Sequence, residues 1–131
     1  MILLKAPIKT LIVEDVIEMQ AMLVEFANKI NHLEVIGSAK NTWEARRLIA
    51  KTRPDLIFLD EVLPGESSLD LLNELSRDGI LVFLITGLEQ PSPLLPTGAL
   101  LRLKKPSWDT FEHDLRVYQD KVNEFFVINK T

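Results

Sequence analysis

The sequence predicts an α/β fold in which helices cover both faces of a five-stranded, mostly parallel sheet. Two observations carry this prediction. Near-continuous apolar runs of strand length alternate with stretches of helical periodicity, and polar side chains stand where several of these runs stop. With 131 residues, 47% of them hydrophobic, the chain has the size and composition of one domain, residues 1–131, with one core.

Five segments have the apolar character of strands. They are residues 8–13, 33–38, 56–59, 81–85 and 99–103. We expect the core to run from residue 8 to residue 122, with a short leader at 1–7 and a C-terminal tail at 123–131. Phe125 to Ile128 is a further apolar run, either the tail of the last helix or a docking surface, and the first interpretation is favoured.

Helical periodicity follows the first two strands. After Asp15, apolar side chains recur at three- and four-residue intervals, which marks one face of a helix. That face comprises Met19, Leu23, Phe26 and Ile30. After the second strand, Asn41 and Glu44 have the spacing of a capping box, and Pro54 ends the helix that they begin.

The two later helices are predicted from turn and capping residues. Pro64-Gly65 indicates a turn after the third strand, and Ser67 is a candidate cap for the helix that follows. The apolar face of that helix comprises Leu69, Leu72 and Leu75. Because Pro106 cannot continue a helix, we expect the last helix to begin at Ser107. Its buried stripe comprises Phe111, Leu115, Tyr118 and Val122.

The connection between the fourth and fifth strands does not have the pattern of a helix. Pro91, Pro93 and Pro96 all fall between Thr86 and Gly98. Proline removes a backbone donor and disfavours helix at the residue before it. At most one turn of helix therefore fits in this connection.

Five polar side chains lie at the ends of the predicted strands. They are Glu14, Asp15, Asp60, Thr86 and Lys105. Ligands of open α/β sheets bind in the crevice beyond the carboxyl ends of the strands, so these side chains are expected to converge there. Taken singly, each has an ordinary interpretation as a helix cap, a strand-end hydroxyl or a surface charge. Taken together, three carboxylates in one crevice repel one another unless a cation binds.

These residues resemble the receiver domain of two-component response regulators over nearly the whole chain, from Ile8 to about Val122. The matching segments are Leu11-Ile12-Val13-Glu14-Asp15, Leu56-Ile57-Phe58-Leu59-Asp60 with Leu63-Pro64-Gly65, Ile85-Thr86-Gly87, and Gly98-Ala99 leading to Lys105-Pro106. The resemblance implies a flavodoxin-like, doubly wound sheet of order 2-1-3-4-5, counted from the strand at residue 8. The prolines would leave its fourth helix short or missing.

The resemblance also implies a function. A histidine kinase or histidine phosphotransfer protein would donate a phosphoryl group to Asp60, the phosphoacceptor. Mg²⁺ would be held by Asp15, Asp60 and the backbone carbonyl of Val62, with Glu14 reaching it through water. Such a domain is a phosphoacceptor that assists its own phosphorylation and dephosphorylation rather than an enzyme. Its output would pass to an unknown downstream protein by contact, and a homodimer is compatible with this function.

Three further residues would contact the phosphoryl group. Lys105 would neutralise its charge, Thr86 would donate a hydrogen bond to it, and Gly87 would leave room for it to enter. The family pattern also implies a cis peptide bond between Lys105 and Pro106.

Arg102 and Ser68 depart from the family pattern. Arg102 occupies the switch position, where receivers usually have an aromatic side chain that swings inward when Thr86 engages the phosphate. Ser68 stands where the family often has glycine. With the prolines of the connection, these departures are expected to alter how phosphorylation is read out, while the phosphorylation chemistry itself is kept.

Val62 and Leu88 are expected to flank the acyl phosphate and to hinder an attacking water.

Two other classes of function fit the sequence less well. A phosphatase of the haloacid dehalogenase type needs a second aspartate in an Asp-x-Asp motif, and Asp60-Glu61-Val62 lacks it. A flavin binder would share the fold. The turn after the first strand, however, carries the acidic residues Glu14 and Asp15, where the phosphate of a flavin would need backbone amides and hydroxyls. The remaining alternatives are an interaction module that is not phosphorylated and a receiver excised from a larger multidomain regulator.

Composition excludes several other functions. A formal charge of −4 without a basic stripe gives no reason to expect nucleic-acid binding by this domain. No apolar stretch is long enough to span a bilayer, so no membrane partner is expected. The absence of cysteine excludes a disulfide framework and a thiol nucleophile, and it is compatible with the cytoplasmic location that we expect.

Overall fold

The structure of the chain is a computed structural model that describes residues 2–63, 68–87 and 92–129. The strands are β1 (Ile2–Lys5), β2 (Ile8–Val13), β3 (Leu33–Ala39), β4 (Leu56–Asp60), β5 (Leu81–Thr86), β6 (Leu101–Lys104) and β7 (Phe126–Asn129). The helices are α1 (Ile17–Asn28), α2 (Thr42–Thr52), α3 (Ser68–Arg77) and α4 (Phe111–Phe125). In this part of the chain, every helix is too short or too polar to cross a bilayer.

The central sheet has five strands in the order β3-β2-β4-β5-β6, and every neighbouring pair is parallel. Counted from the strand at Ile8, this order is 2-1-3-4-5, so the predicted fold class is confirmed. Parallel pairing places the carboxyl ends of all five strands at the same edge of the sheet. The edge strand β6 begins at Leu101, two residues later than its composition suggested.

Each face of the sheet has its own apolar cluster, because successive strand residues point to opposite faces. Along β5, Phe83 and Ile85 pack with side chains of α1 and α4, whereas Val82 and Leu84 pack with side chains of α2 and α3. Burial of each such side chain stabilises the fold by about 1.5–3 kcal/mol. Helices on both faces thus follow from the continuous apolar character of the strands.

The predicted leader and tail pair with each other, which corrects the boundaries expected from the sequence. β1 and β7 form a two-stranded parallel sheet in which Ile2 lies opposite Phe126. Ile2, Leu4 and Phe126 pack against the apolar cluster of α1 and α4, and Leu3 points outward, as strand alternation requires. The interpretation of the run after Phe125 as the tail of a helix was therefore wrong, because α4 ends at Phe125 and a strand follows.

The capping prediction for α2 is confirmed. The side-chain oxygen of Asn41 accepts a hydrogen bond from the backbone N–H of Glu44 at 2.8 Å. The carboxylate of Glu44 reaches back one residue further than in a standard capping box and accepts from the N–H of Lys40 at 3.0 Å. The helix ends at Thr52, before Pro54, as expected.

The starts of the two later helices differ from expectation or lie outside the described residues. The turn at Pro64-Gly65 and the cap at Ser67 are not among the described residues, and α3 begins at Ser68. α4 begins at Phe111 rather than at Ser107. The reason is local: a hydrogen-bonded turn precedes the helix, in which Ser107 N–H donates to the carboxylate of Asp114 at 3.1 Å.

The connection between β5 and β6 follows the prediction made from its prolines. Its described residues, which are 87 and 92–100, include no helix. Among these described residues, no helix follows β5 to cover the sheet on the β6 side of α3. What holds the connection in place is a side chain of β6, described with the site below.

Phe126 tests whether the C-terminal strand belongs to the core. Its ring is 3% exposed and stacks on Phe83 with the ring centroids 5.9 Å apart. We expect Phe126→Ala to lower the free energy of unfolding by about 3–5 kcal/mol, because it removes buried area and leaves a cavity. The neighbouring Val127, 46% exposed, is the control, and Val127→Ala should change it by less than about 0.5 kcal/mol. Urea unfolding measures both, and equal effects would contradict a core role for β7.

Candidate functional site

The carboxyl edge of the sheet brings the predicted polar side chains together. Glu14 and Asp15 follow β2, Asp60 ends β4, Thr86 ends β5 and Lys105 follows β6. Carboxylate oxygens of the three acidic residues all lie within 4.8 Å of one another. The ammonium of Lys105 donates to both Glu14 Oε1, at 2.7 Å, and Asp60 Oδ2, at 3.2 Å. One cation therefore bridges two carboxylates that are 46 positions apart in the chain.

Glu14 is fully buried, and both of its carboxylate oxygens have donors. Oε1 accepts from Lys105, and Oε2 accepts from the backbone N–H of Asp15 at 2.8 Å. Burial raises the pKa of Glu14, the neighbouring Asp60 carboxylate raises it further, and Lys105 opposes both effects. The two hydrogen bonds fix the Glu14 carboxylate, and through it the position of the Lys105 ammonium.

Two hydrogen bonds hold the backbone at Lys105. Its own N–H donates to the carbonyl oxygen of Thr86 at 2.8 Å, and the carbonyl of Lys104 accepts from the buried hydroxyl of Tyr118 at 2.6 Å. Burial lowers the pKa of Lys105, but the hydrogen bond to Glu14 and the charge of Asp60 outweigh it and raise the pKa overall. The amine therefore stays protonated at neutral pH.

Asp60 is positioned by three contacts. Its Oδ2 accepts from Lys105, its Oδ1 accepts from the N–H of Val62 at 3.0 Å, and its carbonyl accepts from Ser68 Oγ at 3.0 Å. The carboxylate is nearly buried, with the residue 3% exposed.

Burial raises the pKa of Tyr118, whose hydroxyl thus remains a donor. Ser68 and Tyr118 were not predicted as positioning residues, although a hydroxyl at the start of the following helix was a usable signal for Ser68.

Thr86 and Gly87 form the wall of the site next to Lys105. Thr86 is 3% exposed, whereas Gly87 is open to solvent. A Cβ added at Gly87 would meet Lys105 Cδ at 3.6 Å, an ordinary van der Waals contact. The packing of the chain does not itself require glycine here, and the small residue leaves space above the Lys105 side chain.

The donor set fits a hard divalent cation. Asp15, Asp60 and Glu14 offer carboxylate oxygens, which Mg²⁺ and Ca²⁺ prefer as ligands, and a single ammonium does not balance three carboxylates. Asp15 is only partly buried, so it lies on the solvent side of the cluster. A cation could therefore enter between Asp15 and Asp60.

The peptide bond at Pro106 corrects one expectation. Among the described residues the cis peptide bond precedes Pro7, and the bond between Lys105 and Pro106 is trans. The N–H of Lys105 continues the pairing of β6 with β5 by donating to Thr86. In this geometry the amine reaches both carboxylates with a trans bond.

Arg102, at the predicted switch position, lies away from the carboxylate cluster. Its Nε donates to both carboxylate oxygens of Glu61, at 2.6 and 3.0 Å, and Nη1 donates to the carbonyl of Ser92 at 2.7 Å. Glu61 was not predicted from the sequence as a partner of Arg102. The available signal was an acid directly after Asp60 and an arginine two strands away.

Comparison with known proteins agrees with the fold. The family model described as "Response regulator receiver domain" matches residues 10–108. A protein-glutamate methylesterase/protein-glutamine glutaminase of Burkholderia thailandensis is 31% identical over 88% of this chain and 33% of its own length. That of Geobacillus kaustophilus is 35% identical over 76% of this chain and 30% of its own length. The chain thus spans about a third of the curated relatives that it matches.

Solved structures are similar in fold. The response regulator domain of CheB from Thermotoga maritima has a TM-score of 0.75 and 23% identity, and the match covers 89% of this chain and 94% of that one. The signal receiver domain of NarL from Mycobacterium tuberculosis has a TM-score of 0.73 and 21% identity, covering 90% and 98%. At these identities the similarity supports the fold alone.

Removal of one carboxylate tests whether the cluster binds a cation. We expect Mg²⁺ at ten times its dissociation constant to raise the free energy of unfolding of the wild type by about 1.4 kcal/mol. Asp60→Asn removes one carboxylate of the cluster, so Mg²⁺ should stabilise this variant far less. Asp120→Asn removes an exposed carboxylate of α4 and should respond as the wild type does. Thermal unfolding with and without Mg²⁺ gives the comparison, and equal gains in all three proteins would rule out this site.

Proposed function

Because this chain belongs to the family of response regulator receiver domains, we propose that it accepts a phosphoryl group on Asp60. The donor would be a phosphohistidine of a histidine kinase or of a histidine phosphotransfer protein. The observation that carries the proposal is the Lys105 ammonium, which lies between Glu14 and Asp60 in a cluster of three carboxylates. That arrangement supports a carboxylate nucleophile beside a fixed positive charge.

The proposed step is a direct transfer between the two side chains. A carboxylate oxygen of Asp60 forms a bond to phosphorus, while the N–P bond of the donor breaks and its electron pair remains on the imidazole nitrogen. Negative charge is spread over the equatorial phosphoryl oxygens during the transfer. Lys105 already donates to Asp60 Oδ2, so its charge is in place before the transfer begins.

Two neighbours would complete the pocket for the phosphoryl group. Thr86 ends β5 next to Lys105, where its hydroxyl would donate to a phosphoryl oxygen. The space above Gly87, which the chain's own packing does not need, would admit the group. A Cβ at this position would narrow that space.

The same site would hold Mg²⁺ through Asp15, Asp60 and the backbone carbonyl of Val62. Glu14, which is fully buried beside them, would take part through water. Bound there, Mg²⁺ would supply positive charge to the transferring oxygens. Asp15, on the solvent side of the cluster, supports entry of the ion from solvent.

The proposed role is that of a signalling domain rather than of an enzyme with its own substrate. It would assist its own phosphorylation and dephosphorylation and pass the signal on by protein contact. The main alternative is an interaction module that is not phosphorylated. The convergence of Glu14, Asp15, Asp60 and Lys105 favours phosphorylation, because a module without that chemistry gains nothing from crowding carboxylates.

Acetyl phosphate tests the phosphoacceptor. Incubation with acetyl phosphate and Mg²⁺ should add the mass of one phosphoryl group to the wild type and to the control Asp120→Asn, as measured by intact mass spectrometry. Asp60→Asn should gain no adduct, because its amide is a poor nucleophile. A wild type that gains no adduct would favour the interaction module, and an adduct on Asp60→Asn would place the acceptor elsewhere.

Val62 tests the proposed protection of the acyl phosphate. Its N–H donates to Asp60 and its side chain is 60% exposed, so the isopropyl group lies at the rim of the site. Val62→Asn should speed loss of the phosphoryl group several-fold, because a polar side chain can guide water toward phosphorus. Leu88, its expected counterpart, lies outside the described residues. Val127→Asn, at an exposed valine of β7, is the control, and a time course of intact mass gives both rates. Equal rates would contradict the role of Val62.

A further inference from the structure

Arg102 joins the residue after the proposed phosphoacceptor to the connection between β5 and β6. Its guanidinium binds the carboxylate of Glu61 and donates to the carbonyl oxygens of Ser92, at 2.7 Å, and Leu94, at 3.4 Å. The residues from 92 to 96 are called the connection segment below. A single side chain of β6 thus contacts both Glu61 and this segment.

The sheet explains how this side chain reaches both partners. Arg102 lies opposite Leu84 of β5, so it points to the face on which α3 packs. From there it extends over β5 to Glu61, whose N–H still pairs with the carbonyl of Ile85. Arg102 and Glu61 line one cavity of about 510 Å³ together with Leu94 and side chains of α3. The guanidinium therefore occupies the face that a helix between β5 and β6 would otherwise cover.

The ion pair is shielded enough to be strong. The side chains of Arg102 and Glu61 are only 13% and 18% exposed, and the guanidinium contacts both carboxylate oxygens. Charge-assisted bonds of this kind are about twice as strong as neutral ones. The connection segment contains no helix whose amides could satisfy its carbonyls, so Arg102 supplies donors that its backbone needs.

We propose that Arg102 and Glu61 form the switch that carries the state of Asp60 to the connection segment. This inference rests on the proposed function. Phosphorylation would replace the single negative charge of the Asp60 carboxylate by the charge of about −1.5 to −2 that a phosphoryl group carries, so the negative charge next to Glu61 grows. The added charge would repel the Glu61 carboxylate and attract the guanidinium, and salt screens such interactions only partly at separations below the Debye length of about 8 Å.

The consequence is a change in what the connection segment is bound to. Both forces weaken the pair of Arg102 with Glu61, and the guanidinium that turns away also releases the carbonyls of Ser92 and Leu94. The phosphoryl group thus interacts differently with the arrangement in which Arg102 is paired with Glu61 and with the one in which the guanidinium has turned away. A ligand can shift a conformational equilibrium only through such a difference. Leu94 and Leu95, 78% and 42% exposed, would then change the surface that they present.

A second ion pair of the same type provides a matched control. Arg46 of α2 binds Glu74 of α3 through Nε at 2.8 Å and Nη2 at 3.0 Å. This pair joins two helices on the surface of the domain, and its side chains are 33% and 40% exposed. Arg46→Gln removes the same charge and the same kind of contact away from the connection segment.

Amide signals measured by NMR can test the switch. Beryllofluoride with Mg²⁺, a mimic of the phosphoryl group, is added to the wild type, Arg102→Gln, Glu61→Gln and Arg46→Gln. The Gly87 amide, beside the site, should shift in all four proteins. The Leu94 and Leu95 amides should shift in the wild type and Arg46→Gln, and most of that shift should be lost in the other two. Glu61→Gln keeps the size of its side chain, so it provides the test even if Arg102→Gln does not fold.

Two outcomes would overturn the inference in different ways. If the Gly87 signal shifts but the Leu94 and Leu95 signals stay fixed in the wild type, or still shift in Glu61→Gln and Arg102→Gln, the switch does not exist and the phosphoacceptor stands. If the Gly87 signal shifts in none of the proteins, the proposed function fails and the switch fails with it.

Discussion

The site depends on one contact, the Lys105 ammonium between the carboxylates of Glu14 and Asp60. Two nearly buried acids at this distance repel each other, and burial adds a cost for each charge that is not compensated. The amine offsets that cost only because the backbone that carries it is held in place. The backbone N–H of Lys105 donates to the carbonyl of Thr86, and the hydroxyl of Tyr118 donates to the carbonyl of Lys104. The register of β6 against β5, and the packing of α4, are therefore conditions for the electrostatics of the site.

The order of the strands explains why this contact is possible at all. β2, β4, β5 and β6 are parallel neighbours, so residues far apart in sequence reach one edge of the sheet. The central strands β2, β4 and β5 are buried on both faces almost throughout, which fixes their register, because a shift by one residue would exchange the two faces. The polar residues stand just beyond this rigid part, on backbone that the strand ends hold. A carboxylate such as that of Asp60 can thus remain in an unfavourable environment, because the surrounding sheet is stable.

Much of this was accessible from the sequence, since strands covered on both faces have a distinctive composition and strand ends converge. What was missed depends on contacts that no local pattern encodes. The pairing of β1 with β7 joins two four-residue strands from opposite ends of the sequence. The late start of α4 results from Ser107 and Asp114 bonding to each other, which competes with the helical first turn. Glu61 acquired its role only when the fold placed Arg102 across two strands from it.

The arginine at position 102 and the prolines of the connection are best understood as one change rather than two. A helix satisfies its own carbonyls, and a proline-rich segment does not, so its replacement of a helix leaves acceptors that need donors. An aromatic side chain at position 102 has at most one polar atom to offer, whereas a guanidinium carries five N–H donors in a fixed plane. Arg102 uses them on Glu61 and on two backbone carbonyls at once. The same geometry makes the segment sensitive to charge, because its donors are shared with a carboxylate next to Asp60. In this chain the connection segment is thus held by electrostatics, where a helix would be held by its own backbone and apolar packing.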